Sequence, residues 1–298
     1  MVGLPVSASQ NRIFPPTEYR LFSNPLDTRS IPVTIRSQRY HRVSSGVRRV
    51  IPHRPEDWHP TALILGCGLS IALLMSWILE PTRSLWLTLD ENVFWAINNS
   101  LAWGRGWQVF WAVANNRTVD VVSALCMIGL FAHFLLRKGQ GRTNLFVAVG
   151  LLLTSLVYSA SQIAGVIMVR RPSPTMVHPG ALRLSELVSW IPTKDVSGDG
   201  FPGDHAVVLL ICAGVITFYL PRAYATAAWV LAVVFTVPRL VSGAHWLTDD
   251  LVGSVAVAGF VLSYVFATPI HSIMTDGLQR LIRRYRSRWR DRIDRLRF

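Results

Sequence analysis

The stretch PRLVSGAHWLTDDLVGSVAVAGFVLSYVFA, residues 238–267, sets an apolar run directly behind a cluster of chemically capable side chains. From Leu251 to Ala267 there is no charged residue, whereas Arg239, His245 and Asp249 crowd the segment before it. A bilayer crossing needs about 20 mostly apolar residues in helical conformation, so the run reads as a membrane span with a polar head at one end. Five more segments read the same way: Ala62–Leu79, Val121–Leu136, Leu145–Val169, Ala206–Leu220 and Ala225–Val241. Of these, Val121–Leu136 and Ala206–Leu220 are short and need neighbouring residues to complete a crossing. Six spans predict an all-α polytopic bundle, with the catalytic domain over residues 61–270.

Composition agrees with that class. Of the 298 residues 51% are hydrophobic and only 16% are charged, against about 25% charged in an ordinary soluble domain. Such a chain is too apolar for wholesale disorder. The net charge is nevertheless +13, and the excess is concentrated. Nine Arg lie in residues 1–60, expected to form a basic cytoplasmic tail, and nine more in residues 271–298. In the second tail Leu281, Ile282, Tyr285, Trp289, Ile293 and Leu296 fall on one side of a helix, as in an amphipathic helix on an anionic membrane surface. Cys67, Cys126 and Cys212 each lie in an apolar run with no partner nearby, so neither a disulfide framework nor a zinc site is expected. The first apolar run begins too late for a signal peptide.

Loop charges orient the bundle. With both termini in the cytoplasm, the tails, Arg137 to Arg142 and the turn at Arg222 all lie inside. The outer side then carries residues 80–120, residues 170–205 and the turn around His245. Residues 84–117 are rich in Trp and Phe and are expected along the outer interface, where aromatic rings are favoured.

Three strings fall at span ends on that outer face. They are Arg170-Arg171-Pro172-Ser173-Pro174-Thr175, Phe201-Pro202-Gly203-Asp204-His205-Ala206, and Pro238-Arg239 followed by His245-Trp246-Leu247-Thr248-Asp249. Two guanidinium groups clamp the oxygens of a phosphate with paired N–H donors. One His attacks phosphorus while another protonates the leaving oxygen. A carboxylate four residues after the attacking His fixes its tautomer and supports its positive charge. Phosphoryl transfer asks for little beyond positioning and charge stabilisation, so Arg and Lys suffice and no metal or cofactor is expected.

These strings resemble the signatures of the type 2 phosphatidic acid phosphatase superfamily. Arg239 to Asp249 is similar to its R-x5-H-x3-D signature with full spacing, Phe201 to His205 to P-S-G-H, and Arg171-Pro172 to the end of K-x6-R-P. The sequence departs from them at Ala164, where Lys is expected, and at Gly203, Asp204 and Pro238. A narrower resemblance, to the lipid A 1-diphosphate synthases, absorbs most departures. It rests on Ala114-Asn115-Asn116-Arg117, Ser173-Pro174-Thr175, Ser185-Glu186-Leu187, Pro192-Thr193-Lys194-Asp195, the P-G-D-H form at Pro202–His205, and Gly243-Ala244-His245-Trp246. It covers roughly residues 65–270.

The resemblance implies a six-helix bundle in the inner membrane of a Gram-negative bacterium, with its active site facing the periplasm. It implies transfer of phosphate from undecaprenyl diphosphate to the 1-phosphate of lipid A, within lipopolysaccharide, through a phosphohistidine. His245 would be the nucleophile, Asp249 its orienting carboxylate and His205 the acid and base. Arg171 and Arg239 would hold the phosphate, helped by backbone amides near Gly203 and His205 at a helix start. Lys194 is expected to supply the charge that Ala164 cannot. Arg117, Asn116, Asn115 and Arg170 are weaker candidates for contact with the second phosphate or the acceptor. For Asn115, Asn116 and Arg117 the alternative is a helix cap or interfacial anchor. Asp204 is expected either to cap the following helix or to limit water at the site. Arg183 is a further weak candidate, and His178 reads as an exposed loop residue.

The alternative activity is hydrolysis of undecaprenyl diphosphate, with water in place of lipid A. The partners expected are these lipids and the membrane itself. Nucleic acid is not expected, because the basic tails flank an apolar domain whose outer-face His and Arg would then have no purpose.

Overall fold

The computed structural model describes residues 57–138 and 143–295. Most of the expected tail at 1–60, together with Arg142 and Leu296, lies outside the described residues. Among them the chain is helical, with one isolated antiparallel bridge between Val169 and Phe201 and no strands. In chain order the helices are α1 (Pro60–Ile78), α2 (Thr82–Asn98), α3 (Arg105–Ala114), α4 (Arg117–Lys138), α5 (Thr143–Ile167), α6 (Pro174–Val177) and α7 (Leu184–Leu187). They continue with α8 (Asp204–Tyr219), α9 (Arg222–Val241), α10 (Val255–Phe266) and α11 (Ile270–Arg295). A 3₁₀ turn at Asn99–Trp103 joins α2 to α3, and a π-helical segment at Asp249–Ser254 leads into α10.

Among the described residues five segments are long and apolar enough to cross a membrane: α1, residues 117–134 of α4, α5, α9, and the π segment with α10. The sixth expected span, α8, is apolar but only 16 residues long, about 24 Å at 1.5 Å per residue. Its position explains how it can be short. α8 packs against α5, α9 and α10, and Ala206, Val207, Leu209, Ile211, Ala213, Val215 and Ile216 are all buried. Over residues 206–216 it therefore meets protein rather than lipid. The core forms on two of its faces: Val207, Ile211 and Val215 meet α5 and α10, while Leu209, Cys212 and Ile216 meet α4 and α9.

Helices cannot be driven together by hydrophobicity inside lipid, so close packing by small residues substitutes. The α1–α10 contact is of this type. A Cβ on Gly66 would collide with Ser263 Oγ, and one on Gly259 would lie 2.7 Å from Ser70 Oγ. Side chains facing lipid explain the exposed Ile64, Leu65, Leu69, Val230 and Val233.

α2, the 3₁₀ turn and α3 make up the aromatic stretch expected along an interface. α11 starts earlier than the amphipathic pattern suggested. Its first turns pack against α5 and α10, while Leu281, Tyr285, Trp289 and Ile293 are exposed along its later turns.

Candidate active site

The ends of alternate helices meet at one end of the bundle. Backbone pairing joins the first two strings: Val169 N–H donates to Phe201 O at 3.0 Å, Ser173 N–H to Ser197 O at 2.8 Å, and Gly200 N–H to Arg171 O at 3.3 Å. Trp246 Nε1 donates to Pro172 O at 2.9 Å and ties in the third string. Between Arg239 and His245 the chain reverses at Gly243, whose φ of 71° is in the left-handed region that favours glycine. A Cβ there would also approach Thr175 Cγ2 to 2.6 Å.

His245 is buried in the loop before the π segment. Its Nδ1 lies 3.1 Å from Gly200 O and 3.6 Å from Asp249 Oδ2. A carbonyl oxygen only accepts, so Nδ1 carries the hydrogen and Nε2 keeps its lone pair in the neutral ring. Burial alone would lower the imidazole pKa, but the Asp249 carboxylate, with Asp250 and Asp204, outweighs it and holds the value above that of an ordinary His.

Asp249 is fully buried. Oδ2 accepts the Trp246 N–H at 2.8 Å, and Oδ1 accepts Arg171 Nη1 at 3.2 Å. Arg171 also donates to Thr248 Oγ1 at 2.9 Å and to Asp90 Oδ2 at 2.6 Å. Its guanidinium carbon lies 5.6 Å from the Trp77 ring and 4.8 Å from the Trp246 ring, distances at which a cation is attracted to an aromatic face. Arg171 is thus built into the support of Asp249 as well as standing beside the site.

Arg239 sits in the last turn of α9 and is buried. Nη1 donates to Asn115 O at 3.1 Å and Asn115 Oδ1 at 2.7 Å, and Nη2 donates to both oxygens of Asp120 at 2.7 and 2.9 Å. His205, the second residue of α8, has Nδ1 3.7 Å from Asp120 Oδ1. The α8 amides are less free than the sequence suggested. Gly203 N–H donates to Asp249 O at 3.0 Å, and His205 N–H to Asp204 Oδ1 at 2.7 Å. Gly203 matters instead as a close approach: a Cβ would collide with Asp250 Oδ1 and lie 3.2 Å from Ser254 Oγ. Asp204 is not the cap itself, since Gly203 occupies that position. Its carboxylate in the first turn complements the helix dipole.

Two cavities adjoin these groups. One of about 370 Å³, of mixed lining, is bordered by Lys194, Asp204 and His245 together with Ala164, Gly165 and Ser197. Lys194 therefore lines the same space as Ala164. An apolar groove of about 640 Å³ lies between α4, α5 and α8. His205 and Asp120 line the groove at its site end, and Thr143 and Phe146 at the other.

Asn115 and Asn116 tie the loop at 192–194 to the start of α4. Asn115 Nδ2 donates to Lys194 O at 2.7 Å, and Asn116 Nδ2 donates to Pro192 O at 2.8 Å. Asn116 Oδ1 also accepts the Thr118 N–H at 2.9 Å, a capping interaction. Arg117 and Arg170 are exposed. Arg183 pairs with Glu186 at 3.2 Å. His178 is not the exposed loop residue expected: it pairs with Glu91 at 3.0 Å and packs on Phe94, Trp95 and Trp246.

The sequence strings gave no role to Asp90, Asp120, Thr248 or Asp250. Asp120 was visible in principle, as a carboxylate one turn into an apolar span, where charge is costly unless paired. Asp250 is buried, and its Oδ2 has no hydrogen-bond partner among the described residues.

The sequence profile of the PAP2 superfamily matches residues 143–276, which include all three strings. The lipid A 1-diphosphate synthase of Escherichia coli (strain K12) is 35% identical over 201 residues, covering 67% of this chain and 84% of that protein. No solved structure matches.

Proposed function

Because the chain belongs to the PAP2 superfamily, we propose that its site moves a phosphate from undecaprenyl diphosphate to the 1-phosphate of lipid A. The chain is a PAP2-type phosphotransferase. The observation that carries the mechanism is the hydrogen bond from His245 Nδ1 to Gly200 O at 3.1 Å, with Asp249 behind it. It leaves Nε2 as the nucleophile.

In the first step His245 Nε2 attacks the terminal phosphorus of the donor. The bond from phosphorus to the bridging oxygen breaks, and undecaprenyl phosphate leaves with a proton from His205. Asp249 stabilises the positive charge that develops on His245, and Arg239 and Lys194 face the phosphoryl oxygens. In the second step an oxygen of the lipid A 1-phosphate attacks the phosphohistidine, with His205 taking its proton, and the N–P bond breaks. Arg171 acts through Asp249 and borders the same charge.

The apolar groove suits the prenyl chain of the donor. Its α5 lining runs from Thr143 to Val157, roughly 21 Å at 1.5 Å per residue, and it ends at His205. Transfer rather than hydrolysis is favoured by the name of the 35% identical relative. It is also favoured by the bonds that join Asn115 and Asn116 to the loop carrying Lys194. These are two of the strings by which the chain resembles the synthases beyond the shared catalytic motifs. In this reading the site faces the periplasm of a Gram-negative inner membrane, both termini are cytoplasmic, and the exposed face of α11 lies on the inner leaflet.

The test mixes purified protein, undecaprenyl diphosphate and lipid A in detergent. Diphosphorylated lipid A is expected. Free phosphate without it would establish a phosphatase instead.

A further inference from the structure

We infer that Asp120 is a displaceable positioning carboxylate, which occupies Arg239 until the donor's phosphate takes its place and which orients His205 during the reaction. The proposal rests on the reading above, in which Arg239 and His205 meet that phosphate.

A guanidinium has five N–H donors. In Arg239 the four on Nη1 and Nη2 are matched by four acceptor contacts: two on Asn115 and two on Asp120. A phosphate can gain a bidentate grip on Arg239 only by replacing one of these partners. The two differ in how firmly they are held. Asn115 is buried, and its amide is anchored to Lys194 O at 2.7 Å. The Asp120 side chain is 40% exposed, against 6% for Arg239, and it lines the open apolar groove. Both Asp120 oxygens sit on Nη2, where phosphate oxygens would compete for the same N–H donors. Asp120 therefore stands where the phosphate belongs, and it is the partner that can leave.

Its second neighbour gives it a place to go. Asp120 Oδ1 lies 3.7 Å from His205 Nδ1, so a small rotation of the freed carboxylate brings it to hydrogen-bonding distance. There it accepts the Nδ1 hydrogen and leaves the Nε2 hydrogen for the departing oxygen. His245 and His205 would each then have a carboxylate at Nδ1, Asp249 for the first and Asp120 for the second. Asp204, Arg239 and His245 also face His205. Of the two carboxylates that face it, Asp120 and Asp204, Asp120 is the one within 4 Å of a ring nitrogen.

The test uses the full chain in detergent without acceptor, with inorganic orthovanadate as the phosphate probe and single-turnover release of undecaprenyl phosphate as the reaction, its maximal rate serving as kcat and its half-saturating donor concentration as KM. In Asp120→Asn, vanadate inhibition is expected to tighten about 3-fold or more, the gain from freeing a half-exposed ion pair. KM for the donor falls with it, while kcat falls by roughly 10-fold or more through loss of support to the acid. A role confined to holding the fold would not lower KM while lowering kcat. Asp120→Glu, which keeps the charge, restores both readings to within about 3-fold of wild type. If the Asn variant does not fold, Asp120→Ser gives the same two readings. Unchanged or weakened vanadate inhibition, or an unchanged kcat, would overturn the proposal. Neither readout involves lipid A, so failure of the acceptor assignment is distinguishable from failure here.

Discussion

Asp249 holds His245 and Arg171 on separate oxygens: Oδ2 lies 3.6 Å from His245 Nδ1, and Oδ1 accepts Arg171 Nη1 at 3.2 Å. The carboxylate thereby sets the ring orientation of the nucleophile and is itself held by a cation. Since Asp249 raises the His245 pKa and the nucleophile must be neutral, kcat/KM should rise with pH through a value above the ordinary ~6.5 for His. In Asp249→Asn the raising charge is gone, so this limb should move to lower pH. The plateau should also drop by about 10²-fold or more as the tautomer loses its support. A pH–rate profile of each protein checks both signs; a limb that stays in place would contradict the coupling.

The shared cavity of Ala164 and Lys194 makes a swap informative. Lys194→Met should lower kcat/KM roughly 10- to 100-fold, the range of a lost hydrogen bond to a charged group. Adding Ala164→Lys to that variant should recover part of the loss, because a Lys stem from α5 can extend its ammonium into the same space. Kinetics of the single and double variants check this. No recovery, with both proteins folded, would mean that the cavity does not treat the two positions as equivalent.

Two glycines in the same loop should behave oppositely. Gly203→Ala drives a methyl group into Asp250 Oδ1, whereas a Cβ on Gly198 meets nothing within 4 Å. Overpacking of this kind costs about 1–3 kcal/mol. The Gly203 variant should therefore melt earlier in detergent and lose most of its activity, while Gly198→Ala stays near wild type in both.

Much of this site was legible in the sequence because it is carried by short motifs at span ends. Arg239, His245 and Asp249 sit at fixed spacing, and alternating span direction alone puts Arg171, His205 and Arg239 on one face. The six apolar runs were equally legible, although the sequence alone did not explain how the short run at α8 could serve as a span, which its burial by neighbouring helices does. What stayed hidden are contacts between residues far apart in the chain. Nothing near Asp90 or Asp120 marks either as the partner of an arginine 81 or 119 positions away. The capture of the Gly203 amide depends on how the π segment meets α8, and the packing of His178 depends on three aromatic rings from other segments. Such pairings follow from packing, which local pattern does not encode.

The central claim is that phosphate passes through His245 on its way to lipid A, and a trapping experiment tests it most directly. Protein mixed with donor labelled on its terminal phosphate, without acceptor, is quenched in alkali and digested. The account predicts an acid-labile, alkali-stable label on the peptide carrying His245, and its transfer to lipid A when acceptor is added before the quench. Formation of diphosphorylated lipid A with no label ever found on His245, or with undiminished rate in His245→Ala, would contradict it.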